Sequence, residues 1–313
     1  MIEVIEPGMY ATIQDFGRLG YLKKGLTRGG PIDENAFLWG NYLLKNEAGA
    51  AQIEIVLGGS KFKFTSAAAV AVCGADVTLK LDNEDRSIWE TFQVEAGQVL
   101  TIGPARSGLR AYLAVAGGIQ VKPQWGSCAT VKREQLGGHR GDGSALQKGD
   151  TLAIEASNCE LTQRIPWRYR PDYSKPPVLG LIPGFQYDQF AMAEREKLSF
   201  HEYKISQQSD RMGIRLEGPA IEYAGKGLVS EGINIGSVQV PPNGQPIIMM
   251  NDRQTLGGYP KLGNISPLDL SRLAQCRPGQ TVQFTRVEVA QVQQQLTKYY
   301  DFFGITPACQ TDH

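Results

Sequence analysis

The residues best suited to chemistry lie in the second half of the chain. An apolar run, Ile247 to Met250, leads into Asn251, Asp252, Arg253, Gln254 and Thr255, and then into Gly257-Gly258-Tyr259-Pro260. Amide side chains present a donor and an acceptor side by side and can pair with a planar lactam or ureido group. A carboxylate such as Asp252 can serve as a general base or orient a neighbour, and Tyr259 can donate a hydrogen bond. Polar groups collected at a strand end beside a Gly-Gly step are a common way for a rigid sheet to present a site. The same residues can also form a turn in which Asn251 and Asp252 bond their own backbone. A second cluster, Gln208-Ser209-Asp210-Arg211-Met212-Gly213-Ile214-Arg215, holds guanidinium forks that could grip a carboxylate; a structural Asp–Arg pair is its simpler reading.

Other chemistries are argued against by what the sequence lacks. There is no Gly-x4-Gly-Lys-Ser/Thr loop, no Gly-x-Gly-x-x-Gly between a strand and a helix, and no Gly-x-Ser-x-Gly elbow, which disfavours a nucleotide site and serine hydrolysis. The 3 histidines are isolated and the 5 cysteines are scattered without a Cys-x-x-Cys pair, so neither a metal site nor a disulfide framework is expected. The 32 Lys and Arg balance 32 Asp and Glu, leaving no broad cationic surface for nucleic acid. Met1 to Glu6 lacks the basic segment and apolar core of a signal peptide, and the longest apolar run, Ala67 to Cys73, is far short of the ~18 residues of a membrane span. The expectation is a soluble, cytoplasmic protein that binds neither nucleic acid nor membrane.

The elements that must hold these residues are mostly short strands. The chain's 36 glycines and 17 prolines punctuate stretches such as Val77-Thr78-Leu79-Lys80-Leu81. One turn-plus-strand signature occurs at Ala96-Gly97-Gln98-Val99, at Lys148-Gly149-Asp150-Thr151 and at Pro278-Gly279-Gln280-Thr281, with glycine supplying the left-handed turn. Arg18-Leu19-Gly20-x4-Gly25 is echoed by Arg211-Met212-Gly213-x4-Gly218, suggesting two related halves. Its 313 residues, at ~100–200 per domain, agree with two units. We expect an N-terminal domain over residues 1–160, a proline-rich connector over 161–177 and a C-terminal domain over 178–313. Asp33 can cap a helix carrying Ala36, Phe37, Gly40 and Leu43. A last helix starts at Glu288, packs Val289, Val292, Leu296, Tyr299 and Phe303 on the core, and stops at Gly304, followed by a frayed tail over 306–313. The glycine-rich segment 137–143 reads as a mobile hairpin loop.

Ordered motifs run through both halves: Gly8-Met9-Tyr10-x-Thr12-Ile13-Gln14-Asp15-x-Gly17-Arg18, Gly30-Pro31-Ile32-Asp33, Gly126-Ser127-Cys128-Ala129-Thr130, Gln208-Ser209-Asp210-Arg211-Met212-Gly213-x-Arg215-Leu216, Ser230-Glu231-Gly232, Gln239-Val240-Pro241-x-Asn243-Gly244-Gln245-Pro246 and Asn251-Asp252-x-Gln254-Thr255-x-Gly257-Gly258-Tyr259-Pro260. On these the chain resembles the allophanate hydrolase subunit 2 family, also called the biotin-dependent carboxyltransferase family, and within it the branch of the 5-oxoprolinase C-type subunits.

The resemblance implies a mainly β protein of two tandem cyclophilin-like β-barrels with a few short helices and a C-terminal helix. It implies a component of an ATP-dependent 5-oxoprolinase complex that opens 5-oxo-L-proline to L-glutamate, with B-type and A-type 5-oxoprolinase proteins as partners and with ATP bound mainly by one of them. No metal or biotin site is expected in this chain. Asp252, Asp210 and Tyr259 are the expected catalytic groups, and Arg211, Arg215, Gln239, Gln245, Asn251, Gln254 and Thr255 the expected substrate-binding ones. The alternatives are a carboxyltransferase component acting on urea or a related amide with a biotinylated partner, and a non-catalytic antagonist of a kinase-inhibitor-like protein.

Overall fold

The computed structural model describes residues 1–158, 162–225 and 228–305. Cys159, Cys309 and the tail over 306–313 lie outside the described residues. The chain forms two compact units, one of Met1–Leu19 and Arg28–Ser174, the other of Gly20–Thr27 and Lys175–His313. The fold is mainly β, as expected, with four α-helices among the described residues.

In the first unit, β1 (Ile2–Glu6), β2 (Tyr10–Gln14), α1 (Glu34–Leu43), β3 (Gln52–Val56), β4 (Ser60–Phe64), β5 (Ala68–Leu81), β6 (Glu84–Arg86), β7 (Thr91–Val94), β8 (Val99–Val115) and β9 (Thr151–Leu152) follow in order. The strands make one curled nine-stranded sheet with the path β2-β3-β8-β4-β1-β9, and β5 lies along β8 while carrying β6 and β7. The first half of β5 reads Ala68-Ala69-Val70-Ala71-Val72-Cys73 and is buried throughout, the pattern of a strand covered on both faces. Its Val70 and Val72 join Ile13, Ile53, Ile55, Phe62 and Leu113 in the core. Asp33 caps α1 as expected, accepting a bond from Ala36 N at 2.9 Å. The 137–143 segment is tied down rather than loose: Gly138 N donates to Cys128 O at 2.8 Å, Gly143 N donates to Gly137 O at 2.9 Å, and Arg140 pairs with Asp150.

The second unit contains β10 (Val178–Pro183), α2 (Met192–Phe200), β11 (Tyr203–Ile205), β12 (Gly213–Glu217), β13 (Glu231–Gly232), β14 (Ser237–Gln239), β15 (Ile247–Met249), β16 (Leu256–Gly257), β17 (Lys261–Ile265), α3 (Pro267–Ala274), β18 (Thr281–Arg286) and α4 (Val289–Phe302). Seven strands close a barrel in the order β10-β17-β14-β15-β12-β11-β18, and β13 pairs with β16 as a separate ribbon. Closure removes sheet edges. Ile214, Ile248 and Val238 are cross-strand partners and are buried on the inner face, so the next row, Arg215, Ile247 and Gln239, lies on the outer one. The last helix forms where expected, but only Val292 of its apolar stripe is buried. Its aromatic rings pack on one another instead, with Tyr299 and Phe303 centroids 5.1 Å apart.

Candidate functional site

The antiparallel pairing of β12 with β15 continues beyond both strands. Met250 N donates to Met212 O and Asp252 N donates to Arg211 O, each at 2.9 Å, which makes neighbours of Arg211 and Asp252, 41 apart in sequence. Arg211 then makes a two-pronged bond to Asp252, Nε to Oδ2 at 2.9 Å and Nη2 to Oδ1 at 3.0 Å. Their side chains are only 12% and 7% exposed, so this charge-assisted fork is a buried structural corner. Asp210 turns the chain into β12, accepting from Met212 N at 2.8 Å and Gly213 N at 3.1 Å. Arg253 is also buried, with Nε donating to Ile233 O at 2.9 Å, while Thr27 of the Gly20–Thr27 segment donates its hydroxyl to Arg253 O at 3.2 Å. Asn251 is buried beside them.

Next to this corner two amides converge. Gln239 is 2% exposed, and its Nε2 has no hydrogen-bond partner among the described residues. A Cβ placed on Gly257 would stand 2.6 Å from Ile233 Cδ1 and 3.2 Å from the Nε2 atoms of both Gln239 and Gln254. Glycine here lets the β13–β16 ribbon lie directly over the two amides. Both Nε2 atoms lie close to Gly257, and amide N–H donors suit a carbonyl oxygen, above all one gaining negative charge. Thr255 joins the ribbon through its backbone, its O accepting from Ile233 N at 3.0 Å.

The ribbon is held by groups that the sequence reading left unassigned. Lys261 Nζ donates to Gly232 O at 3.0 Å and pairs with Glu231 at 2.9 Å. Gln186, from the loop after β10, donates to Glu231 Oε1 at 2.6 Å and accepts from Lys261 N at 3.0 Å. The Gln186 bond, and then the Lys261 bond, holds the Glu231 carboxyl below the usual carboxylate range. Ser230-Glu231-Gly232 is among the family-like motifs and was the available signal; nothing local marks Gln186.

The remaining expected residues face elsewhere. Arg215, Gln245 and Tyr259 line an open cavity of about 570 Å³ on the outer face of the barrel, together with Gln208, Glu217 and the Pro241-Pro242 step. Gln245 spends its amide on the backbone of Gly218, accepting from N at 2.9 Å and donating to O at 3.1 Å. Among the described residues no group of three or more His, Cys, Asp or Glu could hold a metal ion, and no helix is long and apolar enough to cross a membrane.

A family model described as carboxyltransferase domain, subdomain A and B, matches residues 24–286. The chain is similar to the C-type subunit of 5-oxoprolinase from Escherichia coli K12, 35% identical over 96% of this chain and 97% of that protein. It is also similar to a putative urea carboxylase of Emericella nidulans, 35% identical over 90% of this chain but only 24% of that protein. Among solved structures, the urea amidolyase of K. lactis superposes with a TM-score of 0.89 at 27% identity, over 97% of this chain and 20% of that one. The chain thus spans about a fifth of that solved protein. Family match, end-to-end similarity and fold agree, and the chain belongs to the carboxyltransferase-domain family of subdomains A and B, which also holds the C-type subunit of 5-oxoprolinase.

Proposed function

We propose that the chain is a substrate-positioning component of a 5-oxoprolinase, a complex that opens 5-oxo-L-proline to L-glutamate with hydrolysis of ATP. The observation that carries this reading is the correspondence with the 5-oxoprolinase C-type subunit along 97% of that relative's length. A five-membered lactam is a resonance-stabilised amide. Transfer of the terminal phosphoryl group to the lactam oxygen would activate the ring carbon, one water would add there, cleavage of the C–N bond would free the amine and leave an acyl phosphate, and a second water would release phosphate to give glutamate. Gln239 and Gln254 supply donors for the lactam oxygen, with Asn251 beside them. The Arg211–Asp252 fork keeps that rim rigid, and positioning of this kind can lower a barrier by ~7–11 kcal/mol. B-type and A-type partners supply the nucleotide site.

The test is reconstitution. The purified chain, alone and with its B-type and A-type partners, is assayed for ATP-dependent glutamate formation; turnover only in the mixture supports the reading, and full turnover by the chain alone refutes it. The similarity to urea carboxylase favours a second reading, carboxyl transfer to urea or a related amide. The same amide donors suit a ureido ring, and that reaction requires a biotinylated partner. Loss of activity on addition of avidin would select it.

A further inference from the structure

We infer that the open pocket beside β12 is a receptor for a free α-amino acid, its carboxylate held by Arg215 and its ammonium by Glu217. The inference stands on the pocket alone and does not need the lactam reading. Arg215 and Glu217 both line the cavity and are both exposed. They are two residues apart in one strand, so their side chains leave the same face about 7 Å apart. No described carboxylate pairs with Arg215 and no described cation pairs with Glu217, although Lys204 lies opposite Glu217 in the register of β11. Two opposite charges that leave one strand face side by side and pair with no described residue suit a ligand that carries both signs on neighbouring groups. An α-amino acid places carboxylate and ammonium on one carbon, and charge-assisted bonds of about 2.8 Å at each end span the gap.

The strand that carries the pair is fixed before any ligand arrives. The Ser209 hydroxyl donates to Arg215 O at 3.3 Å and accepts from Arg215 N at 3.0 Å. At the other end Gln245 clamps Gly218 through the two bonds already described. Pro241, Pro242 and Ile247 form apolar walls, and about 570 Å³ leaves room for a side chain. Such preorganisation lowers the ordering cost of binding. A lactam acid has the carboxylate but no ammonium, so the pocket would favour an opened amino acid over its cyclised form.

Isothermal titration calorimetry on the purified chain tests this with L-alanine, L-glutamate, glutarate, 4-aminobutyrate and 5-oxo-L-proline as probes. The expected result is binding of L-alanine and L-glutamate, with the other three at least about tenfold weaker. Arg215→Ala and Glu217→Gln should each weaken amino-acid binding by at least about tenfold while leaving the melting temperature unchanged, because both side chains are exposed. The exchange Arg215→Glu/Glu217→Arg should bind better than either single variant. Failure of both amino acids to bind at millimolar concentration, or binding that Arg215→Ala leaves intact, overturns the inference. ATP-dependent turnover plays no part in the readout, so the lactam proposal and this one fail independently.

Discussion

Arg18 and Arg211 open matching stretches of sequence in the two units, yet their guanidinium groups are held in different ways. Arg18 is 1% exposed and donates to neutral carbonyls, Ala129 O at 2.8 Å and Ser127 O at 3.5 Å. The neighbouring carboxylate, Asp15, accepts from the Ser127 hydroxyl at 2.5 Å, from Gly17 N and Cys128 N at 2.8 Å, and from the Cys128 thiol at 3.3 Å. Burial, then the Asp15 charge, pushes that thiol up, away from the thiolate form that a nucleophile needs. In the second unit the two charges meet directly as the Arg211–Asp252 fork. The consequence is chemical. Arg211 and Asp252 are joined to each other, while the neutral amide of Gln239 nearby is buried with a donor that has no partner among the described residues.

Arg211→Ala breaks this contrast most strongly. It takes the two-pronged Arg211 bond away from the buried Asp252 carboxylate, and a loss of about 3–5 kcal/mol of stability is expected by urea denaturation. The double variant Arg211→Met/Asp252→Leu should recover most of it, since both charges of the fork are removed together. Arg18→Met removes the bonds to the Ala129 and Ser127 carbonyls and should cost less, about 1–3 kcal/mol. Equal losses at Arg18 and Arg211 would erase the distinction between the two corners.

Gly257→Ala is the next largest perturbation. Its methyl group would collide with Ile233 Cδ1 and crowd both amides, so a loss of about 1–3 kcal/mol is expected, together with loss of turnover in the reconstituted complex. Gln239→Leu separates stability from function at the same place. Removing a buried donor that has no partner among the described residues should leave stability unchanged or raise it by about 1 kcal/mol, while turnover falls. A stable variant with full turnover would take Gln239 out of the site.

Features with local causes were legible from the sequence. Gly97, Gly149 and Gly279 take φ of 94°, 89° and 92° and start β8, β9 and β18 where the turn signature recurs, because a left-handed turn needs glycine whatever surrounds it. The Asp33 cap is equally local. Helical spacing identified α4, but spacing does not report what covers a face, and only Val292 is buried. The candidate site was legible as a collection of residues and not as a set of roles. Whether Arg211 met a ligand or Asp252 depended on the register of β12 against β15, and the Gln239 burial depended on a ribbon whose strands are far apart in sequence. Gln245 has the chemistry to bind an amide ligand, but its bonds to Gly218, 27 residues away, already occupy both ends of its side-chain amide.

The smallest effect sharpens the comparison through pH. Of the carboxyls held below their usual range by hydrogen bonds, two contrast: Asp142 in the first unit, held chiefly by Ser144, two residues away, and Glu231 in the second, held by Gln186 and Lys261 from distant segments. A carboxyl whose folded pKa is depressed contributes stability above its unfolded value, about 4.3 for Glu, and that contribution disappears as pH falls through the folded value. Glu231→Gln should therefore flatten the acid limb of the stability profile below about pH 4.3. Asp142→Asn should change it less, because a two-residue turn can form in the unfolded chain and offset part of the shift there. Hydrogen exchange measured between pH 3 and 6 should locate the Glu231 effect in the β13–β16 ribbon, the element its bonds hold over Gln239 and Gln254; protection there that ignores both pH and the Glu231→Gln change would mean that the ribbon is held by its backbone pairing alone.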